Sequence, residues 1–128
     1  MSTVVLDASA LLALLNREAG AEKLTDAILG IAVCSAVNLA EVHGKLIMLG
    51  MSESDAWKAA LYPLGGSIEF ATADAQATGN LIAQTRAFGL SLGDRACLAL
   101  GMKLDAPVYT ADRSWKKLLL PISIHIIQ

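Results

Sequence analysis

The sequence is short of cysteine, of long apolar runs and of positive charge, and each shortage excludes something. Its only cysteines are Cys34 and Cys97, both in apolar surroundings and neither in a C-x-x-C pair. That leaves no basis for a zinc knuckle or a dithiol redox centre, and both read as small buried hydrophobes. No apolar run approaches the ~18 residues needed to cross a bilayer, so no membrane association is expected. The early run Ala10 to Leu15 follows Asp7 and has no basic residue before it, unlike a signal peptide; a cytoplasmic location is expected. Lys and Arg number 10 against 12 Asp and Glu, for a net charge of −2 and a pI near 5.6. Such a chain does not grip nucleic acid by bulk charge. Any such contact must rely on local groups or on bound cations.

What is present is apolar bulk. The hydrophobic fraction is 55 % and the mean hydropathy +0.53, which predicts deep burial, a subunit interface, or both. At 128 residues the chain is expected to form one domain over 1–128, with no internal linker, repeat or low-complexity segment.

Thr3 to Leu6 is a short strand ended by Asp7, and Ser9 opens a helix over Ala10 to Arg17. Ala21 to Leu29 reads as a second helix and Ile31 to Cys34 as a second buried strand. Ser35 caps a long helix that Gly50 stops. The S-x-x-D of Ser52 and Asp55 opens a helix to Leu61. Ile68 to Ala71 is the third strand, and Thr72 to Ala87 one helix. Ser91 and Asp94 form another S-x-x-D box, opening the helix of SLGDRACLALG. Pro107 to Thr110 is the fourth strand, and a short helix surrounds Trp115 to Leu119. Ile122 to Ile126 alternates like an edge strand with one wet face. Strands alternate with helices, and the first, second and fourth strands are apolar throughout. That pattern predicts an α/β three-layer sandwich around a mainly parallel sheet.

In such sheets ligands bind outside the carboxyl ends of the strands, and four acids fall near that edge. Asp7 ends the first strand, Glu41 lies about two turns into the helix after the second, Asp94 opens the helix before the fourth, and Asp112 follows the fourth. Three of them also make sense as helix caps. Glu41 does not: it is too deep in its helix, and it shares a face with Asn38. Clustered carboxylates repel, and one or more would retain a proton. A divalent cation removes the conflict. Oxygen donors without Cys or His select a hard ion, Mg²⁺ or Mn²⁺, with Ser9, Asn38 and Thr110 placed to orient the acids. Hard ions on acid clusters characteristically handle phosphates.

The segments VVLDASALLALL, SAVNLAEVHGKL, LSLGDRACLALG and VYTADRSW, in this order and spacing, resemble the PIN-domain ribonucleases, specifically the VapC-type toxins of bacterial toxin–antitoxin pairs. The likeness runs from Val4 to about Ile124. It implies strand order 3-2-1-4-5 and Mg²⁺- or Mn²⁺-dependent endonucleolytic cleavage of RNA, leaving a 5′-phosphate and a 3′-hydroxyl. The family's acids fall on Asp7, Glu41, Asp94 and Asp112, the first three as the principal cage and Asp112 tuning a second ion. Its polar positions fall on Ser9 and Thr110. It further implies a homodimer and a small antitoxin partner that lies over the site. Arg95, Arg113, Lys116 and Lys117 are placed to steer RNA; His43, two residues from Glu41, points elsewhere on its helix; Trp57 and Trp115 read as packing anchors. The leucines of Leu11 to Leu15 and the Leu46 to Leu49 run cover more than one helix face, so part of this surface is expected to be a dimer or antitoxin interface.

Three other readings are weighed. A phosphorylated receiver domain wants paired acids after the first strand and a late-strand Lys, and an Asp-nucleophile phosphatase wants D-x-D where this chain reads D-A-S. A catalytically inactive PIN-like scaffold that only binds partners is the third, and the intact acid set speaks against it.

Overall fold

The computed structural model describes residues 2–128. Five parallel strands form one sheet in the order β3-β2-β1-β4-β5, with β1 Val4–Leu6, β2 Ala32–Ser35, β3 Gly66–Ile68, β4 Val108–Thr110 and β5 Ile124–Ile126. The helices are α1 Ala8–Leu15, α2 Asp26–Leu29, α3 Ala36–Met48, α4 Glu53–Leu61, α5 Thr72–Asn80, α6 Ile82–Thr85 and α7 Leu92–Leu104. Short 3₁₀ turns sit at Ala21–Lys23, Arg86–Phe88 and Arg113–Lys117.

The expected three-layer arrangement follows from side-chain alternation in the central strand. Val5 packs with Cys97, Leu98 and Val108 on one face of the sheet. Val4 and Leu6 pack with Ala10 and Ala13 of α1 on the other. α7 lies across β1, β2 and β4, with α5 outside it. α3 and α4 pair beside α1 through Leu11, Leu39, Val42, Ala56 and Ala60. The inner strands are nearly all buried, whereas the middle residues of β3 and β5, Ser67 and His125, are exposed. This is how an apolar run differs from an alternating one.

Several boundaries differ from those expected, each for a local reason. α1 starts two residues early because Asp7, not Ser9, is its N-cap, accepting from the Ala10 N–H. The segment over 21–29 is not one helix. Leu24 leaves helical geometry (φ −86°, ψ 80°), and Thr25 caps a new turn by accepting from the Ile28 N–H at 3.4 Å. β3 is displaced toward Gly66, because the Gly65 N–H bonds Ala32 O at 2.8 Å. A Cβ on Gly65 would stand 3.1 Å from Gly30 O and 3.2 Å from Ala32 O, a tight fit that glycine avoids where the chain enters pairing. The helix expected over 72–87 breaks after Asn80. Leu81 is drawn into the core and its carbonyl is taken by the Thr85 hydroxyl at 2.8 Å, a back-bond that bends helices.

Both cysteines are free and buried. Burial, with nearby carboxylates, pushes the Cys34 thiol up to about 12 and Cys97 well above its ordinary range. They act as apolar filler, as the sequence suggests. Trp115 is 1 % exposed and serves as a core anchor, whereas Trp57 is 44 % exposed and meets His43 edge-on at 5.3 Å.

Candidate active site

The site is assembled at the carboxyl edge of β1. Asp7 leaves that strand and is only 3 % exposed. Its Oδ1 accepts from the Ala10 N–H at 2.8 Å, which caps α1. Its Oδ2 accepts from the Thr110 hydroxyl at 2.6 Å. Ser9, in the first turn of α1, lies 2.8 and 2.9 Å from the two Asp7 oxygens and 3.2 Å from Thr110 Oγ1. The hydroxyls are held in turn by backbone donors: Ala111 N–H reaches Ser9 Oγ at 2.9 Å, and Asp112 N–H reaches Thr110 Oγ1 at 3.1 Å. Ser9 and Thr110 therefore orient Asp7 and join the ends of β1 and β4.

Burial is expensive for a carboxylate. It raises Asp7 to about 6, against the lowering effect of Thr110, Ala10 and Ser9, and the Asp94 charge raises it further. Asp94 is half-buried at the start of α7. Its Oδ2 accepts from the Ser91 N–H at 2.9 Å, and its own N–H donates to Ser91 Oγ at 3.1 Å. This is the capping box read from the sequence. Asp94 Oδ1 takes no part in it.

Glu41 is exposed, and its carboxylate lies against the Cα of Gly93, next to Asp94 in the chain. Asn38, buried at 1 % exposure, donates through Nδ2 to Glu41 Oε1 at 2.8 Å and to Gly93 O at 3.0 Å. Burial raises the Cys97 thiol, and the charges of Asp7, Asp94 and Glu41 raise it further. Asp112 is exposed and caps the 3₁₀ turn Arg113–Lys117, its Oδ1 accepting from Ser114 N and Oγ at 2.9 and 2.8 Å. Its link to the other acids runs through Thr110.

The donor chemistry fits a hard divalent ion. The four carboxylates supply only oxygen, and Asp7 carries a burial penalty that a cation would relieve. Asn38 Oδ1 is buried without a hydrogen-bond partner. The spacing is open: among the described residues, no three His, Cys, Asp or Glu side chains are grouped closely enough to hold an ion as they stand.

Of the expected RNA-steering cations, Arg95 is committed elsewhere, its Nη1 donating to Thr78 O at the end of α5 at 3.2 Å. Arg113 faces a cleft of about 280 Å³, together with Lys23 and Glu22. Sequence reasoning did not single out Gly93. The available signal was a glycine inside the first turn of a helix, directly before the acid.

A parallel sheet with acids gathered outside its carboxyl edge defines a class of α/β proteins that bind ligands there. The PIN-domain family profile matches residues 4–118, and the chain belongs to that family. Comparison with curated protein sequences returns no match. Among solved structures, DNA-bound VapBC from Salmonella typhimurium superposes with a TM-score of 0.75 at 15 % identity, covering 100 % of both chains. VapC20 of Mycobacterium tuberculosis, a toxin described as cleaving the sarcin–ricin loop, gives 0.71 at 16 % over 91 % of this chain and 97 % of that one. FitAcB from Neisseria gonorrhoeae gives 0.71 at 16 % over 98 % of both. At these identities the likeness is one of fold, and it agrees with the strand order implied by the sequence motifs.

Proposed function

We propose that residues 1–128 work as one nuclease domain, a divalent-metal-dependent endoribonuclease that hydrolyses RNA phosphodiester bonds and acts as the toxin of a VapBC-type toxin–antitoxin system in the cytoplasm. The observation that carries this reading is the hydrogen-bonded holding of the acids: Thr110 and Ser9 on Asp7 at the carboxyl edge of β1, and the Asn38 amide that bonds both Glu41 and the Gly93 carbonyl beside Asp94. Asp7, Glu41, Asp94 and Asp112 would hold Mg²⁺ or Mn²⁺. A divalent ion there supplies Lewis acidity and neutralises phosphate charge. The chain's own residues supply the rest. Ser9 and Thr110 fix Asp7, Ser91 fixes Asp94, and Asn38 fixes Glu41. Arg113 and Lys23 line one cleft together with Glu22, and the two cations would take a neighbouring phosphate. Hydrolysis by water attack leaves a 5′-phosphate and a 3′-hydroxyl.

The partners follow from the same reading. No described helix is long and apolar enough to cross a membrane. Met48 and Leu49 at the end of α3 and Tyr62 after α4 are 81, 66 and 89 % exposed, apolar surface of the kind that a second copy or an antitoxin covers. One structural neighbour, from Klebsiella pneumoniae, is described as a toxin–antitoxin complex, which supports a protein antitoxin as partner. Light scattering that finds only monomer at all concentrations argues against the dimer.

One observation favours the rival scaffold reading: the acids as they stand are not grouped tightly enough to chelate. Incubation of the purified chain with end-labelled RNA in Mg²⁺ or Mn²⁺, and then in EDTA, separates the two. Cleavage should require the metal, and Asp7→Asn or Asp94→Asn should slow it at least about a hundredfold, roughly 3 kcal/mol at 1.36 kcal/mol per tenfold. Cleavage at wild-type rate by either folded variant overturns the assignment. No cleavage of any RNA with either metal returns the chain to a binding role.

A further inference from the structure

Glu41 lies on an exposed part of α3, where a free carboxylate would sample several rotamers. It is instead held from two sides. On one side is Asn38, one turn earlier on the same helix, whose Nδ2 donates to Glu41 Oε1 at 2.8 Å. The same nitrogen donates to Gly93 O at 3.0 Å, so one amide ties α3 to the start of α7. Both partners are acceptors, which fixes the amide's orientation and leaves Oδ1 buried without a donor.

Gly93 forms the other side. A Cβ there would stand 2.7 Å from Glu41 Cδ and 2.8 Å from Oε2, and nearer still to Oε1. The backbone does not itself demand glycine, since Gly93 is an ordinary residue of the first turn of α7. Glycine is otherwise a poor helix residue. What a side chain here would displace is the carboxylate seated on its Cα, one residue before Asp94.

We propose that Gly93 and Asn38 are positioning residues that seat the Glu41 carboxylate against the start of α7, beside Asp94, for metal binding. The proposal rests on the metal-dependent reading above. A side chain at 93 pushes the Glu41 carboxylate out of its seat. The tip of Glu41 is mobile enough to yield, so the protein stays folded while the acid set is broken.

The test is Mn²⁺ affinity, read by electron paramagnetic resonance of the free ion, with melting temperature in EDTA as the folding control. The variants are Gly93→Ala, Asn38→Ala, Glu41→Ala, and the two doubles that add Glu41→Ala to each of the others. Gly93→Ala and Asn38→Ala should each weaken Mn²⁺ binding about 10- to 100-fold, the usual effect of removing a group that orients a ligand. In the Glu41→Ala background both should be silent to within about twofold, because nothing is left to position. Asn38→Ala keeps the glycine at 93, removing only its carbonyl's bond to the amide, and carries the test if Gly93→Ala does not fold. Wild-type affinity in the single variants, or an undiminished loss in the Glu41→Ala background, overturns the proposal. If Glu41→Ala weakens binding while the other two single variants do not, the seat is wrong and the metal reading stands. A wild type that binds no Mn²⁺ overturns both.

Discussion

Thr110 Oγ1 donates to Asp7 Oδ2 at 2.6 Å, joining the ends of two neighbouring strands across 103 positions of sequence. The hydroxyl also accepts from the Asp112 N–H at 3.1 Å. It therefore serves two acids at once, orienting the side chain of one and fixing the backbone of the other.

Thr110→Val keeps the shape and removes both bonds from a fully buried position. A buried donor or acceptor left unmatched costs about 1–3 kcal/mol. Urea unfolding should show a loss of that order at pH 8, where Asp7 is charged, and a smaller loss at pH 5. Equal losses at both pH values contradict a role for the hydroxyl in holding the charged form.

The Asp7 carboxyl is raised from its ordinary 3.8 to about 6, chiefly by burial. A carboxyl raised on folding binds its proton more tightly in the native state. Its charge therefore destabilises the metal-free fold as pH rises from about 4 to about 6, and the penalty is complete above that window. Asp7→Asn should stabilise the metal-free protein at pH 8 by on the order of 2–3 kcal/mol, with the gain vanishing below pH 4. Mn²⁺ should raise the melting temperature of the wild type at pH 8 and leave Asp7→Asn unmoved. Melting curves in EDTA and in Mn²⁺ decide both points; a variant less stable than wild type at pH 8 without metal refutes the first.

Ser91 and Asp94 separate helix capping from site chemistry. Ser91→Ala deletes an N-cap and should cost about 1 kcal/mol of stability, while RNA cleavage is kept, because the Asp94 carboxylate is held by the Ser91 backbone N–H, which the variant retains. Asp94→Asn should cost no more stability than that and abolish cleavage. Chemical denaturation alongside a cleavage assay tells them apart.

The two thiols should be inert in the native state. Cys34 and Cys97 are fully buried and their thiolates are disfavoured by burial and by nearby carboxylates. Labelling with a disulfide reagent should proceed at the rate of global unfolding. Fast labelling of either thiol in native buffer shows that α7 or β2 opens independently.

Much of this molecule is written plainly in its sequence. The inner strands are legible because both of their faces are covered, so their apolar runs are unbroken. The box at Ser91 and Asp94 is legible because its two bonds are local. The placement of Asp7, Asp94 and Asp112 follows from where strands end and helices begin in a parallel sheet. What was not legible depends on distant contacts. The break at Leu81 is imposed by burial against α7, and the early start of β3 by the approach of Gly65 to Gly30. Ser9 reads as a residue that orients the acids, which it does, but its contact with Thr110 across the strand ends is not legible. Gly93 reads only as a weak helix former until the Glu41 side chain is seen lying on it.

The central strand is the first one synthesised, yet one of its two neighbours, β4, ends at residue 110. A growing chain still attached to the ribosome carries Asp7 long before it carries the threonine that holds it or the aspartate that follows. The Asp7–Thr110 pairing therefore cannot exist on a fragment that stops short of β4, and whatever this protein does to its target begins only after that strand has been made.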